Sequence, residues 1–163
     1  MTVRSLKDAV IKVMVDDNGA TPTATTGTAT VSIEEGDLSY TERSPVNIIS
    51  DRGVLDHARS ANEEPIDVSF TVMFESFQTE ATPTVYEALK KIGSASAWVS
   101  QESDSDAYAV RIQFELTDPG SGTDDETVKF DPFFPEEVQF QEGDPSDTMS
   151  VSGRARQTSP TLS

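Results

Sequence analysis

The 163-residue chain contains no cysteine, a single histidine, and only 12 lysines and arginines against 29 acidic residues. The absence of cysteine excludes disulfides, thiolate nucleophiles and zinc–thiolate sites. A single histidine gives no pair of imidazoles for a histidine-based metal centre. The net charge of −17 repels nucleic-acid phosphates and anionic membranes, so the composition argues against both as binding partners.

Long apolar runs are also absent. No segment approaches the roughly 18 consecutive apolar residues that a transmembrane helix needs. The opening residues, MTVRSLKDAVIKVMV, lack the sustained apolar core of a secretory signal, so we expect the protein to fold in a cytosol. Taken alone, the acidity is most simply explained by solubility, and a salt-adapted host is a second explanation.

Alternating apolar residues are the strongest pattern that the sequence does contain. From Ile66 to Glu75, five large apolar residues occupy every second position, and the pattern recurs from Ala109 to Thr117. Such alternation is typical of a strand with one buried face. Shorter strands are predicted over 9–15, 29–33, 38–46, 127–134, 137–141 and 148–155, with a tight hairpin at Gly36 between the second and third.

Seven or more strands of this length predict an antiparallel β-sandwich or barrel. We expect one domain over residues 1–156, followed by a disordered tail over 157–163. The core between two antiparallel layers is expected to contain Val68, Phe70, Val72, Phe74, Ile112, Phe114, Phe140 and Val151, with Ile66 at its edge.

One flanking helix is predicted in the segment TPTVYEALKKIG. Thr82 is the expected N-cap, Pro83 the first helical residue, and Gly93 the residue that ends the helix. The face that docks against a sheet is expected to carry Val85, Leu89 and Ile92.

No catalytic residue, metal site or cofactor site is indicated by the sequence. His57 follows Asp56, but a lone histidine in a polar segment is far more often a surface or contact residue than a catalyst. None of the acidic segments ESDSDAY, TDDE and EGDPSD has a glycine and a distal glutamate at the spacing of a calcium-binding loop. The sequence therefore favours a structural or interaction protein over an enzyme.

The segment from Ser50 to Glu64 is the most conspicuous exception to the alternating pattern. It is longer than an ordinary strand connection and carries both signs of charge around a small apolar pair. We expect such a segment to be mobile in the monomer and to become ordered only against a partner. The predicted subunit-contact residues are Arg52, Val54, Leu55, His57, Arg59, Glu63 and Glu64.

The order of these elements, ending in PEEVQFQEGDPSDTMSVSGRAR, resembles the major tail-tube proteins of long-tailed, siphovirus-like bacteriophages. That family's last strands often read as a proline, an alternating apolar strand, an acidic glycine-containing turn and a final strand ending in Ser-Gly. The residues that fit are Pro135, Val138, Phe140, Glu142, Gly143, Asp144, Met149, Val151, Ser152 and Gly153.

This resemblance implies hexameric rings stacked into a hollow tube in the virion tail, assembled in the host cytoplasm. It implies contacts with terminator, tape-measure and baseplate proteins, and an acidic channel through which DNA passes without specific binding. The segment over 50–64 would reach a neighbouring ring. Candidate channel-lining acids, chosen because they lie in or beside alternating strands, are Asp37, Glu42, Asp67 and Glu75.

Two alternatives remain open at the level of sequence. A tail terminator or a secretion-system tube protein would have the same fold. An acidic carbohydrate-binding or hydrolytic β-domain is the alternative from a different class, and it needs a cluster of exposed aromatic rings or a pair of carboxylates in a cleft.

Overall fold

The computed structural model describes residues 10–15, 28–32, 38–74, 83–98, 107–116, 126–143 and 147–163, with residues 28–32 described for the backbone only. This part of the chain is mainly antiparallel β structure with one short α-helix, as the alternating sequence pattern predicts. The strands are β1 Val10–Val15, β2 Thr28–Ser32, β3 Ser39–Thr41, β4 Val46–Asp51, β5 Val54–Ser60, β6 Ile66–Met73, β7 Val110–Leu116, β8 Glu126–Gln141, β9 Thr148–Ala155 and β10 Thr161–Leu162. The helix α1 is Val85–Lys90, and a 3-10 turn follows at Gly93–Ala95.

Eight strands form one sheet in the order β2-β1-β7-β8-β9-β6-β3, with β10 added alongside β8. Strands β4 and β5 form a separate two-stranded sheet. The predicted hairpin between the second and third strands is wrong for the described residues, because β2 pairs with β1 and β3 pairs with β6. Gly36 itself lies outside the described residues.

The long strand β8 belongs to both halves of the sheet. Its first half pairs with β7 and its second half with β9, and Phe133 lies opposite Val110 on one side and Ala155 on the other. The two halves therefore face each other as layers, with β6 of one packing onto β7 of the other. The edge-to-face contact of Phe70 and Phe114, with ring centroids 6.0 Å apart, joins these layers without any backbone pairing.

Most of the predicted core is confirmed. Buried side chains include Val68, Phe70, Val72, Ile112, Phe114 and Val151, and Ile66 is fully buried rather than at the edge. Phe74 is only partly buried against this core. The prediction for Phe140 is wrong, because this ring is 43% exposed near the end of β8.

A glycine on β9 permits the close approach of β8 and β9 near the change of partners. Gly153 lies opposite Pro135, beside a register shift between Pro135 and Glu137. A Cβ atom at Gly153 would overlap the Phe134 carbonyl oxygen and the Phe133 ring. The Ser-Gly pair noted in the sequence therefore has a steric function, since any larger residue would push the two strands apart.

Helix α1 begins two residues later than predicted. Its N-cap is Thr84, whose hydroxyl accepts a hydrogen bond from the Glu87 backbone N–H, while the Glu87 carboxylate accepts one from the Thr84 N–H. This reciprocal capping box explains why Thr84 rather than Thr82 begins the helix. Glu87 is buried and also accepts a hydrogen bond from the Ser94 N–H, which attaches the 3-10 turn to the helix. Of the described residues, none belongs to a helix long and apolar enough to cross a membrane.

The C-terminal residues differ from the expectation of disorder. Strand β10 pairs with β8 at Lys129 and Val128, and the backbone of Ser163 both donates to and accepts from Thr127. The last three residues, TLS, are too few for an alternating pattern to predict a strand.

Replacement of Phe70 by alanine tests the core. We expect Phe70→Ala to lower the free energy of unfolding by about 3–5 kcal/mol, because it removes a fully buried ring from the contact between layers. The exposed neighbour Ser69 supplies the matched control, and Ser69→Ala should change the unfolding free energy by less than about 0.5 kcal/mol. Equal denaturant midpoints for the two variants would contradict this description of the core.

Candidate assembly surface

Residues 46–60 form a β-hairpin that projects from the sheet between β3 and β6. The sequence predicts an irregular segment over 50–64, whereas the structure pairs β4 with β5 from Val46 opposite Ser60 to Asp51 opposite Val54. The two central turn residues both have positive φ, 48° at Arg52 and 82° at Gly53. A two-residue turn with positive φ at both positions matches the right-handed twist of the strands that it connects. The Asp-Arg-Gly sequence is therefore the feature from which this turn could have been predicted.

A β-bulge gives this hairpin one continuous apolar face. The pairing shifts between Ile49 and Ser50, so that Ser50 lies opposite Leu55 and Asp56 is the extra residue on β5. Without the bulge, Leu55 and Ala58 would point to opposite faces, because they are three positions apart. With it, one face carries Val46, Ile48, Leu55 and Ala58.

No other described part of the molecule covers this face. The exposed fractions of Val46, Ile48 and Leu55 are 57%, 65% and 74%, and every residue of β4 and β5 is exposed. Isolated two-stranded hairpins are at best marginally stable in water. A hairpin that presents three large apolar side chains on this face, besides the exposed Ile49 and Val54 on the other, is therefore typical of a surface that another molecule covers.

The predicted contact residues fall on several parts of this hairpin. Arg52, Val54 and Leu55 lie at its tip. His57 and Arg59 share the face opposite Leu55, where they lie across from Ile49 and Asn47. Two further exposed apolar residues, Val46 and Ile48, lie towards its base on either side of Asn47. The sequence pattern placed Val46 at the end of the third predicted strand and gave Ile48 no element.

Two of the predicted contact residues, His57 and Glu64, make polar contacts within the chain. His57 Nδ1 lies 2.9 Å from Asp56 Oδ2, so the bulge residue and the histidine form a pair. Glu63 is exposed beyond the hairpin, and Glu64 lies 3.8 Å from Arg43. These two glutamates lie where the chain returns to the sheet, and the hairpin itself does not contain them.

Two of the four candidate channel acids, Asp37 and Glu75, lie outside the described residues. Glu42 is exposed and accepts a hydrogen bond from the Ser159 hydroxyl at 3.3 Å. Asp67 forms an ion pair with Arg43 at 2.5 Å, which partly neutralises its charge.

Asp67 lies on the face of β6 turned away from the core. Along this face, side chains of β6 meet those of β9, with Ser69 opposite Ser152 and Thr71 opposite Ser150. The Thr71 and Ser150 hydroxyls are 3.1 Å apart. This face therefore carries hydroxyl groups between Asp67 and Glu137, which lies opposite Ser152.

Three aromatic side chains lie close together and test the alternative of a carbohydrate-binding domain, which needs a cluster of exposed rings. Phe140 contacts both Phe74 and Tyr86, with ring centroids 5.4 Å and 5.5 Å apart. Both contacts are edge-to-face, so the three rings do not form the flat platform on which a sugar ring stacks. Within the described ranges, no three acidic or histidine side chains come together as a metal-binding group.

No protein-family model matches the sequence, and no curated protein matches it. Solved structures do match. One is a chain of the sheath–tube complex of an extracellular contractile injection system, PVC, in its extended state. Its TM-score is 0.56 at 14% identity, and the match covers 94% of this chain and 87% of that chain.

Two further structures show the same similarity. A chain of the PVC sheath/tube terminator in the extended state matches with a TM-score of 0.56 at 13% identity, covering 94% of this chain and 92% of the other. A chain of the anti-feeding prophage baseplate, solved with six-fold symmetry, matches with a TM-score of 0.51 at 10% identity. That match covers 100% of this chain and 94% of the other. The chain therefore has a tail-tube-like fold, shared with chains found in contractile injection systems.

Proposed function

We propose that the protein is a structural subunit of a tube in a phage tail or a phage-like injection system. Six copies form a ring, and the rings stack into a hollow tube. The observation that carries this proposal is the hairpin β4–β5, which presents an uncovered apolar face on a domain with a tail-tube-like fold.

The hairpin provides the contact between rings. Full burial of a side chain the size of valine, isoleucine or leucine contributes about 1.5–3 kcal/mol. Val46, Ile48 and Leu55 together would thus supply a substantial part of each contact, repeated around the ring. Arg52 and Arg59 would pair with carboxylates of adjacent subunits, which are plentiful in a chain of charge −17.

The channel is acidic and passes DNA without binding it. Phosphate contacts from lysine and arginine would hold DNA to the wall, whereas carboxylates repel it and leave it free to move. A ring of six copies carries six times the charge of −17, so some acidic side chains must face the channel and others the outside of the tube. Asp37, Glu42, Asp67 and Glu75 are the proposed channel residues, with Asp67 the least effective because of its pairing with Arg43.

This function makes the chain a non-enzymatic protein of the virion tail, assembled in the host cytoplasm. Its partners are other copies of itself and the terminator, tape-measure and baseplate proteins. Similarity to chains of sheath–tube, terminator and baseplate assemblies supports such a place in a tail. A terminator or a secretion-system tube of the same fold is the second candidate, favoured by the match to the sheath/tube terminator.

Removal of the hairpin tests the proposal, and the structure shows between which residues the deletion can be made. The Ala61 N–H donates to the Pro45 carbonyl at 2.9 Å, so these residues already lie side by side. We expect replacement of residues 46–60 by two glycines to leave a folded monomer and to abolish tube formation. Circular dichroism would report folding, and sedimentation with negative-stain imaging would report assembly.

Leu55→Ser supplies the finer variant, with Ser60→Ala at the base of the hairpin as its control. Weaker assembly is expected for Leu55→Ser alone. Normal tubes from the protein without its hairpin would overturn the proposed role of residues 46–60.

Charge reversal tests the channel. Lysines in place of Asp37, Glu42, Asp67 and Glu75 should leave tubes intact but slow genome ejection, because the new cations bind phosphates. The effect should be largest at low salt, where screening is weakest. Asparagine and glutamine at the same positions form the control, since they remove the repulsion without adding attraction. Ejection rates that stay equal for all three proteins across a salt series would contradict an acidic channel.

A further inference from the structure

Residues 157–163, here called the strap, lie along the edge of β8 that faces away from β7. Strand β10 is the regular part of the strap, and it pairs with Lys129 and Val128. At the end of the strap, Ser163 exchanges two backbone hydrogen bonds with Thr127, at 2.7 and 3.0 Å. The first half of β8 is therefore paired on both sides, with β7 along one edge and the strap along the other.

One side chain fastens the strap at both of its ends. Gln157 Oε1 accepts a hydrogen bond from the Asp131 backbone N–H at 3.0 Å, and Gln157 Nε2 donates to the Thr161 hydroxyl at 3.3 Å. The pairing of β7 with β8 shifts at this point, where Asp131 and Pro132 lie across from Arg111 alone. A side-chain amide thus stands where a neighbouring strand would place a backbone carbonyl.

The side chains of the strap bury little surface. Gln157 and Pro160 are half-buried, and the other five residues of the strap are exposed. Leu162, its one large apolar residue, is 69% exposed. Ordering seven residues costs conformational entropy, and a few hydrogen bonds of modest net strength are what offset it. The strap therefore belongs to the low-stability part of the molecule, which opens without global unfolding.

The strand beneath the strap is held independently of it. Phe130 and Phe133 are fully buried, and β7 pairs with β8 on the opposite side. Opening of the strap would leave β8 in place and expose the Thr127 N–H and carbonyl and the Asp131 N–H along one edge. A preformed strand edge of this kind is a template to which another extended segment can add.

The strap occupies this edge incompletely. Thr158 and Ser159 bend, and Pro160 has no backbone N–H to donate. Regular pairing within the strap is accordingly limited to β10 and Ser163. A segment that stays extended opposite residues 127–131 would make backbone hydrogen bonds at every second position, including one in place of the Gln157 amide. Such a segment fits the edge better than the strap does.

We propose that the strap is an internal cover over a strand-binding site, and that an extended, proline-free segment of a different protein displaces it and adds to β8. The strap of a second copy is not the favoured occupant, because it has the same bends and lacks the high effective concentration of an attached segment. The site is separate from the hairpin β4–β5, and the proposal does not depend on the tube function.

Peptide binding to the full chain tests the proposal. The probe is a fluorescein-labelled peptide of residues 156–163 that carries Pro160→Val, and binding is measured by fluorescence anisotropy. We expect the Gln157→Ala protein to bind the probe at least about 10-fold more tightly than the unaltered protein, because loss of the amide raises the open fraction of the strap. Thr158→Ala, at an exposed strap residue, is the matched control and should leave the affinity unchanged.

Hydrogen exchange in the absence of the probe reports the opening separately. The Thr127 amide, which donates to the Ser163 carbonyl, should exchange faster in the Gln157→Ala protein than in the Thr158→Ala protein. Equal exchange in the two proteins would contradict the role of Gln157 in fastening the strap.

A reversible lock supplies a second variant. Because Ser163 and Thr127 exchange both of their hydrogen bonds, Leu162 and Val128 form a non-hydrogen-bonded pair, whose side chains lie close together. The chain has no cysteine, so Val128→Cys combined with Leu162→Cys introduces one disulfide between the strap and β8. The oxidised protein should not bind the probe, and reduction should restore binding.

Binding that is stronger for Gln157→Ala and absent from the oxidised lock supports the inference. Equal binding to the oxidised and reduced lock, or no binding to the Gln157→Ala protein, overturns it. A peptide of residues 156–163 with its own proline should bind more weakly than the probe. If it binds as tightly, the strap of a second copy is an equally good occupant, and the assignment to a different protein is overturned.

Discussion

The pairing of β8 with both β7 and β9 is the constraint on which the rest of the structure depends. Because residues 126–130 of β8 pair with β7 and residues 135–141 pair with β9, the strand changes partner near Phe133, and the sheet can turn back on itself at this point. The two layers then enclose Phe70, Phe114 and Phe130 in successive edge-to-face contacts. A cavity of about 630 Å³, lined by Leu89, Tyr108 and Phe134 among others, opens beside the same turn.

The molecule separates the groups that stabilise the domain from the groups that would join copies. The large apolar residues of β6, β7 and β9 are buried, while those of β4 and β5 are exposed. The hydrogen bond between Ala61 and Pro45 closes the base of the hairpin, so the domain does not require the hairpin for its own sheet. In the proposed tube, the hairpin contacts must offset the mutual repulsion of copies that each carry a charge of −17, a repulsion that salt weakens.

Sequence reasoning succeeds here where one local pattern decides the structure. Four apolar residues at every second position, Ile66, Val68, Phe70 and Val72, leave no alternative to a buried face on β6, since a shift by one residue would expose them all. The reasoning fails where a local exception intervenes. The extra residue Asp56 breaks the alternation of β5, so a regular hairpin looks like an irregular charged segment. Thr82 and Thr84 both precede the helix, and only the reciprocal bond with Glu87 selects the second.

Other features could not be predicted from the sequence because they depend on where the core ends or on contacts between distant segments. Phe140 fits the alternation of its strand, but it lies near the strand's end, where the core no longer covers it. The cavity brings together residues between Pro65 and Arg156, and no spacing within the chain indicates that they meet. The sequence shows a net excess of acid but not that Lys90, Arg154 and Arg156 line one cavity.

The central claim is that neighbouring copies complete the hairpin, and hydrogen exchange tests it most directly. Backbone amides of β4 and β5 would be compared with those of β6 over a dilution series of the intact protein. We predict slow exchange in both regions when the protein is assembled. On dilution to monomers, protection should be lost in β4 and β5 alone, because their hydrogen bonds then lie at an exposed surface. Hairpin amides whose protection is the same at every concentration would contradict this account.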